Sequence, residues 1–125
     1  MVLVDAANVV GSRPTGWWRD RAGAARELHA RILDAVRDGR LEAPVVVVLE
    51  GRARQGVAQG VADGVEVIHA PAQGDDTIAQ VAAASDEPVV LVSADRHLGD
   101  RVQHAGGEVV GPTWLLERLD PVANT

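Results

Sequence analysis

Carboxylates stand where the apolar runs of this chain end. Val2-Leu3-Val4 leads into Asp5, with Asn8 three positions on, and Val45-Val46-Val47-Val48-Leu49 leads into Glu50. Val65-Glu66-Val67-Ile68-His69 is followed by Asp75 and Asp76, and Val89-Val90-Leu91-Val92 leads into Ser93 and Asp95. An unpartnered buried polar group costs roughly 2–7 kcal/mol. Each of these residues is therefore either a satisfied cap or part of a site. Several carboxylates at one rim repel one another unless protons, arginines or cations intervene. Hard oxygen ligands in this number suit Mg²⁺ or Mn²⁺. Such a cation activates water and offsets the charge of a phosphodiester transition state. Asn8 and Ser93 would orient a carboxylate or a water from behind.

Each acid also has a structural reading. Asp5 could cap a turn. Asp75 and Asp76 suit the positive end of a helix, and at least one of them is expected to cap it. Asp95, after Ser93-Ala94, fits an N-cap. Glu50 and Asp100 are read as surface residues. His29, His69, His97 and His104 share no ligand spacing, and only His97 falls near the rim. They are read as non-metal residues.

The elements that must position these groups alternate. The opening run 2–10 reads as a buried strand, and Gly11 to Gly16 as loop. Trp17 to Asp38 reads as a helix with Ala25, Leu28, Ile32 and Val36 as its apolar stripe, stopped by Gly39. The run 45–49 is a second strand. Arg52 to Gly64 reads as loop with at most one helical turn. The run 65–69 is a third strand and 75–84 a helix. The run 89–93 is a fourth strand and 95–105 a helix, stopped by Gly106-Gly107. Glu108-Val109-Val110 is a short fifth strand. Gly111-Pro112-Thr113 opens a last helix with Trp114, Leu115, Leu116 and Leu119 as its apolar residues, ended by Pro121. The strands are apolar throughout rather than alternating, which predicts a parallel sheet covered by helices on both faces. Sites in such sheets form at the carboxyl ends of the strands, where four of the five runs present acid.

Composition bounds the possibilities. The 125 residues carry a net charge of −6, with no cysteine, tyrosine or phenylalanine, and all the positive charge is arginine. One domain spanning 1–125 is expected from the length. The absence of lysine excludes a P-loop lysine, a Schiff base and a lysine base. The absence of cysteine excludes disulfides and thiolate metal sites. No stretch approaches the roughly 20 apolar residues of a membrane span, and no signal segment precedes the first strand, so a cytoplasmic protein is expected. The acidic balance argues against bulk binding of nucleic acid. Positive charge is nonetheless localised. Arg13, Arg19 and Arg21 follow the first strand, Arg52 and Arg54 the second, and Arg96 and Arg101 the fourth. Arg13, Arg19, Arg52, Arg54 and Arg96 are candidates to hold RNA phosphates. Trp17 and Trp18 could stack on bases. The favoured reading is packing, since adjacent helical residues point different ways.

Three segments resemble a family. Asp5-Ala6-Ala7-Asn8-Val9 resembles the D-x-x-N strand that opens NYN domains, in the PIN-like nuclease group. Gly74-Asp75-Asp76-Thr77-Ile78 resembles the group's paired-Asp helix start. Leu91-Val92-Ser93-Ala94-Asp95-Arg96-His97-Leu98 resembles its S-x-D segment. The resemblance is strongest to small bacterial NYN proteins. It implies a three-layer α/β/α fold with a parallel sheet of about five strands in the order 3-2-1-4-5. It implies a metal-dependent ribonuclease using Mg²⁺ or Mn²⁺, with RNA as partner. It implies Asp5, Asp76 and Asp95 as ligands, with Asp75, Asn8 and Ser93 supporting. One departure stands out. Family members often carry a further acid one helical turn beyond the S-x-D aspartate, where this chain has Gly99; Asp100, the nearest acid, faces elsewhere on the helix.

Rival families fit less well. Phosphoacceptor receivers need a Lys after the fifth strand. Haloacid-dehalogenase-like phosphatases open D-x-D, and here Ala7 stands at the third position. A Nudix helix needs Glu residues that 51–64 lack, and no G-x-G-x-x-G follows the first strand. The alternative is a catalytically weak or inactive PIN-like module that binds RNA or a protein partner. Trp114-Leu115-Leu116 would serve such a partner, or pack on the sheet. A homodimer is compatible with either reading.

Overall fold

The structure is a computed structural model and describes residues 1–120. Its strands are β1 (Val2–Asp5), β2 (Val45–Leu49), β3 (Gly60–Ala62), β4 (Val65–His69), β5 (Val90–Val92) and β6 (Glu108–Val110). Its helices are α1 (Ala6–Gly11), α2 (Arg21–Arg37), α3 (Gly74–Ala84), α4 (Arg96–His104) and α5 (Pro112–Leu119), with 3-10 turns at Trp17–Arg19 and Gly51–Gln55. The sheet order is β3-β4-β2-β1-β5-β6. Five of its strands are parallel, and taken in chain order they run 3-2-1-4-5, as expected of a PIN-like α/β fold. β1 lies at the centre, with Val4 paired to Val47 of β2 and Val92 of β5.

Side chains alternate across this sheet and feed two cores. Val2 and Val4, with Val45, Val47 and Leu49, pack against α1, α2 and α5 through Val9, Leu28, Ile32 and Leu115. Leu3, Val46, Val48 and Leu91 pack on the other face against Ile78 and Ala82 of α3 and Leu98 and Val102 of α4. Full burial of each large apolar side chain contributes roughly 1.5–3 kcal/mol. Both faces are covered, which is why the strands read as unbroken apolar runs.

The structure corrects the expected elements in four places. The first strand ends at Asp5 rather than running to Val10, because Asp5 Oδ1 accepts from Asn8 N and caps α1. Val9 then packs as a helical residue. The expected helix 17–38 breaks at Asp20, whose backbone (φ −148°, ψ 76°) is non-helical and whose carboxylate caps α2 through Gly23 N at 2.8 Å. The segment expected as loop with one helical turn has that turn, the 3-10 turn at Gly51–Gln55, but also carries β3, an antiparallel sixth strand on the edge beside β4. All three β3 residues are exposed, so no apolar pattern marks it. Its one signal is Asp63-Gly64, both at positive φ, the dipeptide of a tight hairpin. The last correction is to the caps of α3, whose N-cap is Gln73; neither Asp75 nor Asp76 makes a capping hydrogen bond. The expected helix stop at Pro121 lies outside the described residues. Among the described residues no helix is long and apolar enough to cross a membrane.

Candidate active site

Asp5 is the last residue of the central strand and is only 6% exposed. By alternation it shares a face with Leu3, the face that α3 and α4 cover. Its Oδ2 accepts from Ser93 Oγ at 2.9 Å, and its Oδ1 accepts from Asn8 N at 3.4 Å. Ser93 Oγ also accepts from Asp95 N at 3.1 Å. Asn8 Oδ1 accepts from Ala94 N at 2.8 Å. The turns after β1 and β5 are thus laced together by side chains that the sequence spaces far apart.

Burial pushes the Asp5 carboxyl up to about 6, against an ordinary 3.8. The Ser93 and Asn8 hydrogen bonds pull it down, and the charges of Asp75 and Glu50 push it up further. Asp75 and Glu50 are therefore the acids whose fields reach Asp5. Asp75 lies in the first turn of α3, half-buried. Glu50 follows β2 and by alternation shares the face of Val46 and Val48. Its Oε1 lies 3.1 Å from where a Cβ on Gly74 would sit. A glycine there leaves room for the carboxylate beside the start of α3, where a helix terminus favours negative charge.

The remaining expected residues are distributed differently. Asp76 is 81% exposed at its side chain and pairs with Arg101 at 3.0 Å. Asp95 caps α4, its Oδ1 accepting from Leu98 N at 3.1 Å. Arg54 turns inward to the backbone, donating to Gly51 O at 3.0 Å and Ala70 O at 3.2 Å, and so clamps its own turn. Arg13 borders a separate hollow with Thr15, Glu27 and Arg31. Arg96 is exposed beside Ser93 and Asp95. Arg19 and Arg52 border an open groove with Trp18. The space for a side chain at Gly99 opens onto Val109, whose methyls lie at 3.5 and 3.6 Å from the Cβ position; Asp100 is exposed.

One feature escapes the sequence reading and one refines the roles of the expected pair Asp75 and Asp76. Glu50 reaches the rim rather than the surface expected for it; its position after an apolar strand, the same as that of Asp5, is the available signal. Asp75 rather than Asp76 acts on Asp5. Asp75, Ile78 and Ala82 are spaced i, i+3, i+7, and the last two are buried against the sheet, so that spacing already turns Asp75 inward. Among the described residues no three His, Cys, Asp or Glu side chains gather closely enough to hold a metal ion as they stand.

No family model matches the chain, and no curated protein matches it. Among solved structures it is similar to the crystal structure of a tryptophan-to-leucine mutant of Rae1 (YacP) from Bacillus subtilis. The TM-score is 0.68 at 20% identity, over 94% of this chain and 72% of that one. At this identity the likeness is one of fold, and it supports the PIN-like α/β arrangement.

Proposed function

We propose that this chain is a divalent-metal-dependent ribonuclease whose Mg²⁺ or Mn²⁺ is held at the carboxyl end of β1. Asp5 carries the reading. It is a buried carboxylate on the central strand, held by Ser93 and flanked by the charges of Asp75 and Glu50. Such a group is costly to keep ionised, and a hard cation removes that cost. The donors are all oxygen, which fits either metal. Mg²⁺ commonly takes one or two carboxylates and keeps several waters, so three converging side chains are not required.

Asp5 and Asp75 are the residues to hold the cation, with Glu50 beside them. Asp95 joins through the carboxylate oxygen outside its cap. Asp76 joins only by releasing Arg101. When bound, the ion would lower the pKa of a water and offset phosphodiester charge. The chain's own groups do the rest. Ser93 fixes Oδ2 of Asp5, and Oδ1, which caps α1 through Asn8 N, keeps a lone pair for the cation. Asn8 commits its Oδ1 to Ala94 N, which leaves its NH₂ to donate to a phosphate oxygen. The choice of RNA rests on the three NYN-like segments, and the exposed Arg19 and Arg52 suit its phosphates.

A non-catalytic module that binds RNA or a protein partner is the second reading. It is favoured by the absence of three converging metal-binding side chains among the described residues and by Gly99. The test is incubation of single-stranded and hairpin RNA with the protein in Mn²⁺, Mg²⁺ or EDTA, beside Asp5→Asn and Asp75→Asn. Metal-dependent cleavage lost in both variants supports the nuclease. Cleavage that survives Asp5→Asn overturns it. No cleavage, with no cation binding by calorimetry, leaves the binding module.

A further inference from the structure

Beside the acidic rim the surface changes character. A cleft of about 200 Å³ is walled by Ala6, Ala7, Val10, Trp17, Arg21 and Glu50. Across Arg21 and Gly51 it continues into an open groove of about 590 Å³ bordered by Trp18, Arg19 and Arg52. Ala6 follows Asp5 in the chain, and the charge of Glu50 acts on Asp5. The trough therefore borders the candidate site through Ala6 and Glu50.

The open groove is positive where the chain carries −6 overall, while Glu50 adds a negative charge to the wall of the cleft. The groove's ionisable side chains are Arg19, Arg21, Arg52 and Asp20, and Asp20 Oδ1 is already taken by Gly23 N. Six of the other arginines are spent on the fold. Arg31, Arg37, Arg40 and Arg101 pair with acids, and Arg54 and Arg118 donate to backbone carbonyls. Among the described residues Arg13, Arg19, Arg21, Arg26, Arg52 and Arg96 have no such partner, and of these Arg19, Arg21 and Arg52 gather in one groove.

The aromatic groups are held rather than loose. The Trp17 and Trp18 rings meet edge-on, with centroids 6.1 Å apart and planes at 88°. The Arg21 guanidinium stands 5.3 Å from the Trp17 ring and that of Arg19 stands 5.8 Å from the Trp18 ring. Trp18 is nevertheless 54% exposed. An exposed, pre-positioned indole among unpaired guanidinium groups matches a planar ring attached to a phosphate.

We infer that this trough is a nucleotide subsite. One nucleobase enters the apolar cleft beside Trp17, the next lies on the open face of Trp18, and the phosphates joining them meet Arg19, Arg21 and Arg52. The inference rests on the ribonuclease reading for its purpose, which is to seat the nucleotides that flank the scissile phosphate. Nucleotide binding itself does not depend on catalysis.

The experiment is fluorescence anisotropy of a labelled oligouridylate with the intact chain in EDTA, so that binding is read without cleavage. Trp18→Ala and Arg52→Ala are each expected to weaken binding about tenfold, Trp18→Phe to recover most of the loss, and Asp5→Asn to bind at least as tightly as wild type. Affinity is expected to fall as salt rises. Binding unchanged by Trp18→Ala and Arg52→Ala overturns the inference. So does an acidic peptide that binds the trough while the oligonucleotide does not. RNA cleaved with an unchanged KM by Trp18→Ala overturns the subsite and leaves the nuclease reading intact. Oligonucleotide held by the trough without any metal-dependent cleavage supports the subsite and overturns the nuclease reading.

Discussion

Ser93 Oγ donates to Asp5 Oδ2 at 2.9 Å, joining the carboxyl end of the central strand to that of its neighbour. The bond is buried and lowers the Asp5 carboxyl against the larger effect of burial. Ser93→Ala removes the donor and leaves a buried carboxylate short of a partner. The expected loss of stability is about 1–3 kcal/mol by urea denaturation. The Asp5 carboxyl rises further, so the acid limb of any metal-dependent cleavage moves to higher pH.

Asp5 itself trades stability for its place. Its carboxyl ionises near 3.8 in the unfolded chain and at about 6 in the folded one. A raised folded value means that ionisation costs the native state. The cost is absent below pH 3.8, grows between 3.8 and 6, and is complete above 6, where it reaches about 3 kcal/mol. Asp5→Asn in EDTA is therefore expected to be more stable than wild type at about pH 8, by up to that amount, with the gain gone near pH 4. The substituted amide keeps one acceptor oxygen for Asn8 N, so the cap survives, while Ser93 Oγ loses its acceptor at both pH values and the gain falls short of the full amount. Denaturation midpoints at the two pH values decide it; an equal shift at both would remove ionisation as the cause.

Much of this fold is legible because its strands are buried on both faces. Val45 to Leu49 and Val89 to Val92 announce themselves as apolar runs that an amphipathic element would not tolerate. β3 is hidden because Gly60, Val61 and Ala62 bury nothing. The break in the opening run is hidden for another reason: apolar Ala6, Val9 and Val10 suit strand or helix alike, and only the Asp5 cap decides between them. At the site, residue types and strand ends are legible, and partners are not. Ser93 meeting Asp5 is set by the pairing of β1 with β5. The reach of Glu50 to the rim depends on the bare Cα of Gly74 on another element.

Gly56 tests how the trough is built. It follows the 3-10 turn at Gly51–Gln55, and a Cβ there would collide with the carbonyl oxygen of Ala22 in α2. The obstruction is backbone, which cannot swing aside as a side chain would. Gly56→Ala is expected to push the turn off α2, destabilise the chain by about 1–3 kcal/mol and weaken oligonucleotide binding through Arg52. Thermal denaturation and the anisotropy titration read the two effects. Stability lost with binding intact would show that the turn's seat on α2 does not position the groove.

Asp75 and Asp76 are adjacent and chemically alike, yet α3 turns them about 100° apart. Asp75 follows the inward stripe of Ile78 and Ala82, and its charge reaches Asp5. Asp76 faces out to Arg101. An exposed ion pair of this kind contributes at most about 1 kcal/mol. Asp76→Asn is accordingly expected to leave stability within that margin and to reduce metal-dependent cleavage severalfold or less. Asp75→Asn is expected to reduce cleavage a hundredfold or more, since it removes an oxygen ligand beside Asp5, by an amount in the range of a lost electrostatic contact at a reacting phosphate, about 3 kcal/mol. Rates for the two variants over a range of Mn²⁺ concentrations separate the roles: saturating metal partly restores Asp75→Asn if the residue holds the cation. If Asp76→Asn instead proves the more damaging, Arg101 releases Asp76 when the cation binds, and Arg101→Ala would then raise the affinity for Mn²⁺ rather than leave it unchanged.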